Sequence, residues 1–208
     1  MTNAPERLAV EGLRRHPDGL LRCWWCGDDA DYVAYHDREW GRPVHDDRRL
    51  FEKLCLEGFQ AGLSWLTILR KRPAFRAAFA AFEPEVVAAF GAPEVEQLLA
   101  DASIVRSRAK IEATIDNARA LLRLWESGGS LDALAWSFAP TAGRRRRPRS
   151  PTEVPDVTSA STALARELKS QGFRFVGPTT AYAFMQAMGL VDDHLQGCQV
   201  PPANASRP

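Results

Sequence analysis

No run of about 18 apolar residues, the length a membrane-crossing helix needs, occurs anywhere in this 208-residue chain. The opening "MTNAPERLAVEGLRRHPDG" also lacks the apolar stretch of a secretory signal. Both absences lead us to expect a cytoplasmic protein with no membrane partner. There thiols stay reduced, and cysteines serve metals or cores rather than disulfides. Charge of one sign is scarce as well: 27 Lys and Arg against 26 Asp and Glu leave a net charge of +1. Such a balance neither announces nor excludes a nucleic-acid partner, because binding needs a basic face and not a basic whole. Strands of alternating polarity are missing too, which argues against a sandwich or a barrel.

What is present is helical periodicity. "DDRRLFEKLCLEGFQAGLSW" offers Asp46 or Asp47 as an N-cap, followed by Leu50, Phe51, Leu54 and Cys55 on one helical face. Pro73, Pro84 and Pro93 each stand where a first helical turn should begin, with Gly91 closing the second of these helices. "SRAKIEATIDNARALLRLW" places Ile111, Ile115, Ala118 and Leu122 on one stripe that stops at Gly128-Gly129. Later, Ser161 caps a helix that stops at Gly172, and Pro178 opens another that ends at Gly189. The expectation is an all-α protein of many short helices.

The segment "APTAGRRRRPRSPTEVPDVTSAS" breaks this pattern with Pro, Arg, Ser and Thr and no apolar period, so a mobile loop is expected at about 139–158. Its block Arg144 to Arg147, with Arg149, reads either as a solvated basic loop or as a phosphate contact. Residues 1–21 read as a flexible extension, 22–200 as a single domain and 201–208 as a disordered tail.

"RCWWCG" holds two of the four cysteines, Cys23 and Cys26, around two tryptophans. No second C-x-x-C follows. Cys55 falls inside an apolar stripe and reads as core. Cys198 follows His194 by four residues, a usual zinc-ligand spacing, and His36 follows Cys23 by 13. Cys23, His36, His194 and Cys198 would make a closed set of two sulfurs and two imidazoles, suited to a structural metal because no position is left for water. Two other readings stay open: surface histidines with idle thiols, and a redox pair of Cys23 with Cys26, although no strand precedes that pair as thioredoxin-like chemistry requires.

"YVAYHDREWGRPVHDDRRLFEKLCLEGFQAGLSWLTILRKR" together with "GFRFVGPTTAYAFMQAMGLVDDHLQGC" resembles the DNA-3-methyladenine glycosylase I family, from about Cys23 to Cys198 and in the same order. The resemblance implies an all-α, two-lobed helix-hairpin-helix glycosylase, monomeric, acting on alkylated double-stranded DNA without an organic cofactor. It also implies one structural Zn2+, whose ligands correspond to Cys23, His36, His194 and Cys198. The acidic residue of the family's base pocket corresponds to Glu57, and the pocket aromatics to Trp25, Tyr32, Tyr35, Trp40 and Trp65.

Those residue types suit one ligand. Glu57 among Leu54, Leu56, Phe59 and Leu63 either faces solvent or meets a specific donor, because burying an unpaired carboxylate costs several kcal/mol. A carboxylate beside Trp and Tyr rings can receive a flat cationic ring, and methylation at N3 makes adenine one. Asp37 and Glu39 stand nearby in sequence, and the resemblance implies that no dedicated catalytic aspartate is needed. The family's hairpin segment, G-I-I-R-H-R-G-K-I, becomes Ser103 to Ile111 here. Arg106, Arg108 and Lys110 are retained as DNA-binding candidates, but Ser103 and Ala109 replace both glycines. A catalytically weak, zinc-stabilised DNA-binding module of the same fold is therefore the alternative reading.

Overall fold

The computed structural model describes residues 11–141 and 146–202. Arg144 and Arg145 of the basic block lie outside the described residues, as do 1–10 and 203–208. Two short antiparallel strands, β1 (Leu13–Arg15) and β2 (Leu21–Cys23), open the described chain. They correct the expectation that no strand would occur. Three residues each are too few to show alternation, and the pairing is held by a tight turn in which Gly19 N donates to His16 O. The chain thus joins the fold by Leu13, ahead of residue 22.

Nine helices follow among the described residues: α1 (Ala30–Arg38), α2 (Asp47–Gln60), α3 (Trp65–Ala78), α4 (Pro84–Ala88), α5 (Ala92–Ala100), α6 (Arg108–Glu126), α7 (Leu131–Trp136), α8 (Ser159–Ser170) and α9 (Pro178–Ala187). The architecture is all-α, as the periodicity indicated. Helix α2 is the hub. It packs against α3, α6, α7 and α9 and so joins the α3–α6 group to the α8–α9 pair as two lobes. Its sequence explains the role: from Leu50 to Phe59 all but Glu52 are buried. At its start Asp46 caps by accepting from Arg49 N (2.8 Å), while Asp47 accepts from Leu131 N, Asp132 N and Trp125 Nε1 and fixes α7.

Three helix boundaries differ from the periodicity. Pro73 lies inside α3 rather than starting a new helix, because Trp65, Ile68, Leu69 and Phe75 bury one continuous face across it. Gly91 caps the start of α5 rather than closing α4. Thr158, not Ser161, caps α8; Ser161 is its reciprocal partner in a capping box. On α6 the buried stripe runs through Leu121 rather than Leu122.

Two chain crossings bring the ends of the protein together. Gly41 N donates to Gln186 O and Val44 N to Met188 O. Gly189, at φ +75°, passes so close that a Cβ there would meet the Arg42 and Pro43 backbone at 2.4 Å. Gly41, also at φ +75°, lets the His194 ring approach; a Cβ would come within 3.1 Å of it.

From Arg146 onward the Pro/Arg-rich segment is packed. Arg147 pairs with Asp192 (2.8 Å) and donates to Val200 O, and Gln196 N donates to Pro148 O. No helix of the described residues is long and apolar enough to cross a membrane.

Candidate functional site

Cys23 closes β2, His36 sits in the last turn of α1, and His194 and Cys198 lie in the segment after α9. All four are buried, and their ligand atoms lie within 4.8 Å of one another. The Cys198 sulfur is 3.5 Å from His36 Nε2 and 3.6 Å from His194 Nδ1, and the Cys23 sulfur is 3.8 Å from His194 Nδ1.

The outer shell orients both rings. His36 Nδ1 meets Asp37 Oδ1 at 2.7 Å, and His194 Nε2 meets the Trp40 carbonyl at 3.0 Å. Each imidazole thus has an acceptor on its far nitrogen, which fixes the N–H there and leaves a lone pair facing the sulfurs. Asp37 is held in turn by the buried Arg22, whose guanidinium also reaches Asp18. Burial works against the Asp37 carboxylate, but the hydrogen bonds from Arg22 and His36 outweigh it and hold its pKa below the usual range. These four residues can hold a metal ion.

Cys26 stays outside the cluster. It is fully buried, its thiol reaches Cys23 O at 3.2 Å, and burial pushes its pKa up to about 11. A reactive redox thiol needs the opposite shift. Cys55 lies in the core as expected, 3 % exposed.

Beside the cluster opens a cavity of about 330 Å³, lined by Trp24, Trp25, Tyr32, Tyr35, Trp40 and Trp65 among others. The sequence-selected aromatics therefore converge, and Trp24 joins them. Trp25 is the hub of the box, edge-on to Tyr32 (5.1 Å between centroids) and Trp40 (4.9 Å), and it also contacts His36 (5.3 Å). The Nε1 atoms of Trp25 and Trp65 are buried without a protein partner, leaving two donors at the cavity lining.

Glu57 lines the same cavity and is 6 % exposed. It is not unpaired: Lys53, one turn earlier on α2, approaches to 2.7 Å. Lys53 was missed by the sequence reading, although its i,i+4 spacing from Glu57 on a helix was visible. Burial pulls the Lys53 pKa down to about 8, against the raising effect of Glu57.

The two acids that stand near the box in sequence, Asp37 and Glu39, are committed elsewhere. Asp37 is bound to Arg22 and His36, and Glu39 is held in a two-pronged pair by Arg72 at 2.6 and 2.8 Å. Tyr182, Gln186 and Asp193 line the far wall, with Tyr182 and Gln186 both donating to Asp193 Oδ2. Val154, Pro155 and Asp156 complete the rim from the Pro/Arg-rich segment.

The hairpin candidates separate. Arg106 is exposed. Arg108 pairs with Glu96 at 2.7 Å and Glu112 at 3.8 Å. Lys110 turns inward and donates to Phe59 O (2.9 Å) and Ala61 O (2.6 Å), closing the end of α2.

A cavity of edge-on aromatics with two buried carboxyl residues, Glu57 and Asp193, beside a four-residue cluster that could hold a metal in an all-α frame, has the chemistry to receive a flat, charged ring. The methyladenine glycosylase family profile matches residues 25–201. DNA-3-methyladenine glycosylase 1 of Escherichia coli (strain K12) is 49% identical over 185 residues, covering 89% of this chain and 99% of that protein. The crystal structure of a 3-methyladenine DNA glycosylase I superposes with a TM-score of 0.84 at 49% identity, covering 87% of this chain and all of that one. A variant of a 3-methyladenine DNA glycosylase I, solved in complex with 3-methyladenine, superposes at 0.81 with 37% identity, covering 85% and 96%. This chain belongs to the methyladenine glycosylase family.

Proposed function

We propose that the protein is a base-excision repair glycosylase that flips an alkylated base out of double-stranded DNA and releases it as 3-methyladenine. The carrying observation is Glu57, buried in a cavity walled by Trp25, Tyr35, Trp40 and Trp65. The relatives named as 3-methyladenine glycosylases support the same reading.

The chemistry follows from the lesion. Methylation at N3 puts a positive charge on the base and weakens its glycosidic bond. Aromatic faces attract such a ring by on the order of 2 kcal/mol when water is excluded, and attract neutral adenine far less. Glu57 accepts hydrogen bonds from the base edge and complements its charge, while Trp25 Nε1 and Trp65 Nε1 stand as donors to ring nitrogens. Recognition of the flipped base then suffices: water attacks the sugar carbon and gives up one proton to solvent, and the electrons of the broken bond neutralise the leaving base. Asp37 and Glu39, tied to Arg22 and Arg72, take no part in that step.

The metal of this reading is one structural Zn2+ on Cys23, His36, His194 and Cys198. Zinc bonds of about 2.3 Å to sulfur and 2.0–2.1 Å to nitrogen put tetrahedral donors roughly 3.3–3.8 Å apart. The sulfur–nitrogen distances of 3.5, 3.6 and 3.8 Å fall in that range. The ion would tie β2 and α1 to the segment after α9 within a single domain that begins by Leu13, and its binding energy would become folding energy.

DNA phosphates are assigned to Arg106 and Arg108 at the start of α6. Lys110, committed to the end of α2, supports that hairpin from beneath.

The experiment is excision from methylated duplex DNA, with metal analysis on the same preparation. Released 3-methyladenine with one equivalent of zinc is expected. Duplex binding without base release would instead establish the weak DNA-binding module.

A further inference from the structure

The Lys53 ammonium is 2.7 Å from Glu57 Oε1, 3.0 Å from the Tyr35 hydroxyl and 3.1 Å from the centroid of the Trp65 ring. It is 5 % exposed and lines the aromatic cavity. A cation therefore already rests on the aromatic face and against the carboxylate that a cationic base needs. We propose that Lys53 is a specificity-determining residue: its ammonium is the resident cation of the base pocket, and a cationic base binds by taking its place against Glu57 and Trp65 as Lys53 gives up one proton to solvent. The inference rests on the base-excision reading of this cavity.

Repulsion between the two cations favours the exchange. The titratable and charged groups around Lys53 are Glu57 on its own helix, Tyr35 and Glu39 from α1 and its end, and Arg72 from α3; Tyr32, Asp156, Tyr182 and Asp193 line the same cavity. Arg72 matches Glu39, and Tyr182 and Gln186 hold Asp193, so Glu57 serves Lys53. Two cations drawn to the same Glu57 carboxylate and Trp65 face would stand against each other in a desolvated space, where like charges repel strongly. Burial already holds the Lys53 pKa near 8, so loss of its proton is accessible at neutral pH. A neutral base does not drive this loss and has to compete with the ammonium for the Trp65 face. Lys53 thus selects against ordinary adenine.

The test uses the full chain and two probes: the permanently cationic 3,9-dimethyladeninium, and its uncharged 3-deaza isostere. Calorimetric titrations in buffers of different ionisation enthalpy count protons. About one proton should leave when the cation binds and none when the isostere binds. Below pH 8 the cation's affinity should rise with pH by about tenfold per unit, then level off, as loss of one proton requires. Lys53→Arg keeps the positive charge but cannot shed it. Its cation-over-isostere preference should fall by about tenfold or more, with no proton released. No proton release by the native protein, which needs no variant to measure, overturns the inference; so does an unchanged preference in Lys53→Arg. Excision of 3-methyladenine by the same preparation separates the two claims. Its absence defeats the functional reading, whereas excision without proton release defeats only the role of Lys53.

Discussion

His194 and Trp40 are joined twice: His194 Nε2 meets the Trp40 carbonyl at 3.0 Å, and the two rings stand edge-on with centroids 4.7 Å apart. One residue thereby orients a member of the metal-capable cluster with its backbone and walls the aromatic cavity with its side chain. Trp25 repeats the arrangement two residues after Cys23, edge-on to both His36 and Trp40. The metal cluster and the aromatic box share a wall, so what loosens one should loosen the other.

Metal removal should therefore cost base recognition as well as stability. Chelation under mild denaturation should lower the melting temperature and weaken 3-methyladenine binding together, read by thermal melts and tryptophan fluorescence. Trp40→Phe separates the two effects, because the backbone carbonyl that holds His194 remains. Its zinc content should stay at one equivalent while excision falls roughly tenfold, the loss of about 1–2 kcal/mol of ring contact. Loss of zinc in Trp40→Phe would mean that the indole, not the carbonyl, sets His194.

Asp37→Asn should weaken metal binding about 10–100-fold, because it removes the charged acceptor behind His36 and one partner of the buried Arg22. Competition against a chromophoric chelator measures this directly. An unchanged affinity would mean that His36 takes its orientation from packing alone.

Glu57→Gln has two consequences. On the proposed function it removes the carboxylate that reads the base, so excision should fall by about a hundredfold or more, the scale of losing a charge-assisted hydrogen bond and the matching charge. It also leaves the Lys53 ammonium without its partner. A buried unpaired charge can cost about 3–5 kcal/mol, but Lys53, already near a pKa of 8, can shed its proton instead. The expected variant is folded, fully zinc-loaded and modestly less stable. Native excision rates in it would remove Glu57 from the mechanism.

Lys53 also gives stability a pH dependence of definite sign. Its folded pKa is about 8 and its ordinary value 10.5. Between those values the unfolded chain binds more protons, so this group's penalty is full below pH 8 and is relieved as pH rises toward 10.5. Urea unfolding of the native protein and of the double variant Lys53→Met/Glu57→Gln should diverge in that window. The native protein should gain relative to the variant by an amount on the order of a few kcal/mol. Parallel curves would place the Lys53 pKa at its ordinary value.

The helical class was legible because periodicity is written into neighbouring positions, the four cluster residues as a candidate set from the Cys23/His36 and His194/Cys198 spacings, and the cavity aromatics only through the family resemblance. What it hid was pairing at a distance. Glu57 read as a carboxylate that faces solvent or meets an unnamed donor, and that donor, Lys53, lay one turn away on the same helix, recognisable as i,i+4 but not as buried. Pro73 read as a helix start because a single residue's preference was weighed without the apolar face that runs past it. Strands β1 and β2 were too short to alternate, and Lys110 read as a phosphate ligand because the α2 carbonyls it closes are about 50 residues away.

Lys110 and Arg106 should accordingly part ways in a salt titration. Arg106 is exposed at the start of α6. Arg106→Ala should weaken duplex binding and reduce the slope of log affinity against log salt by about 0.9, the release of one phosphate counterion. Lys110 Nζ instead holds two carbonyls at the end of α2, and its removal leaves them without that donor. Lys110→Met should lower stability by about 1–3 kcal/mol, the range for hydrogen bonds from a charged donor, with the salt slope nearly unchanged. Because those carbonyls belong to Phe59 and Ala61, just past Glu57, the same variant should also weaken 3-methyladenine binding. A salt slope lowered in Lys110→Met and unchanged in Arg106→Ala would reverse the assignment, placing the DNA backbone over the end of α2 and not over the start of α6.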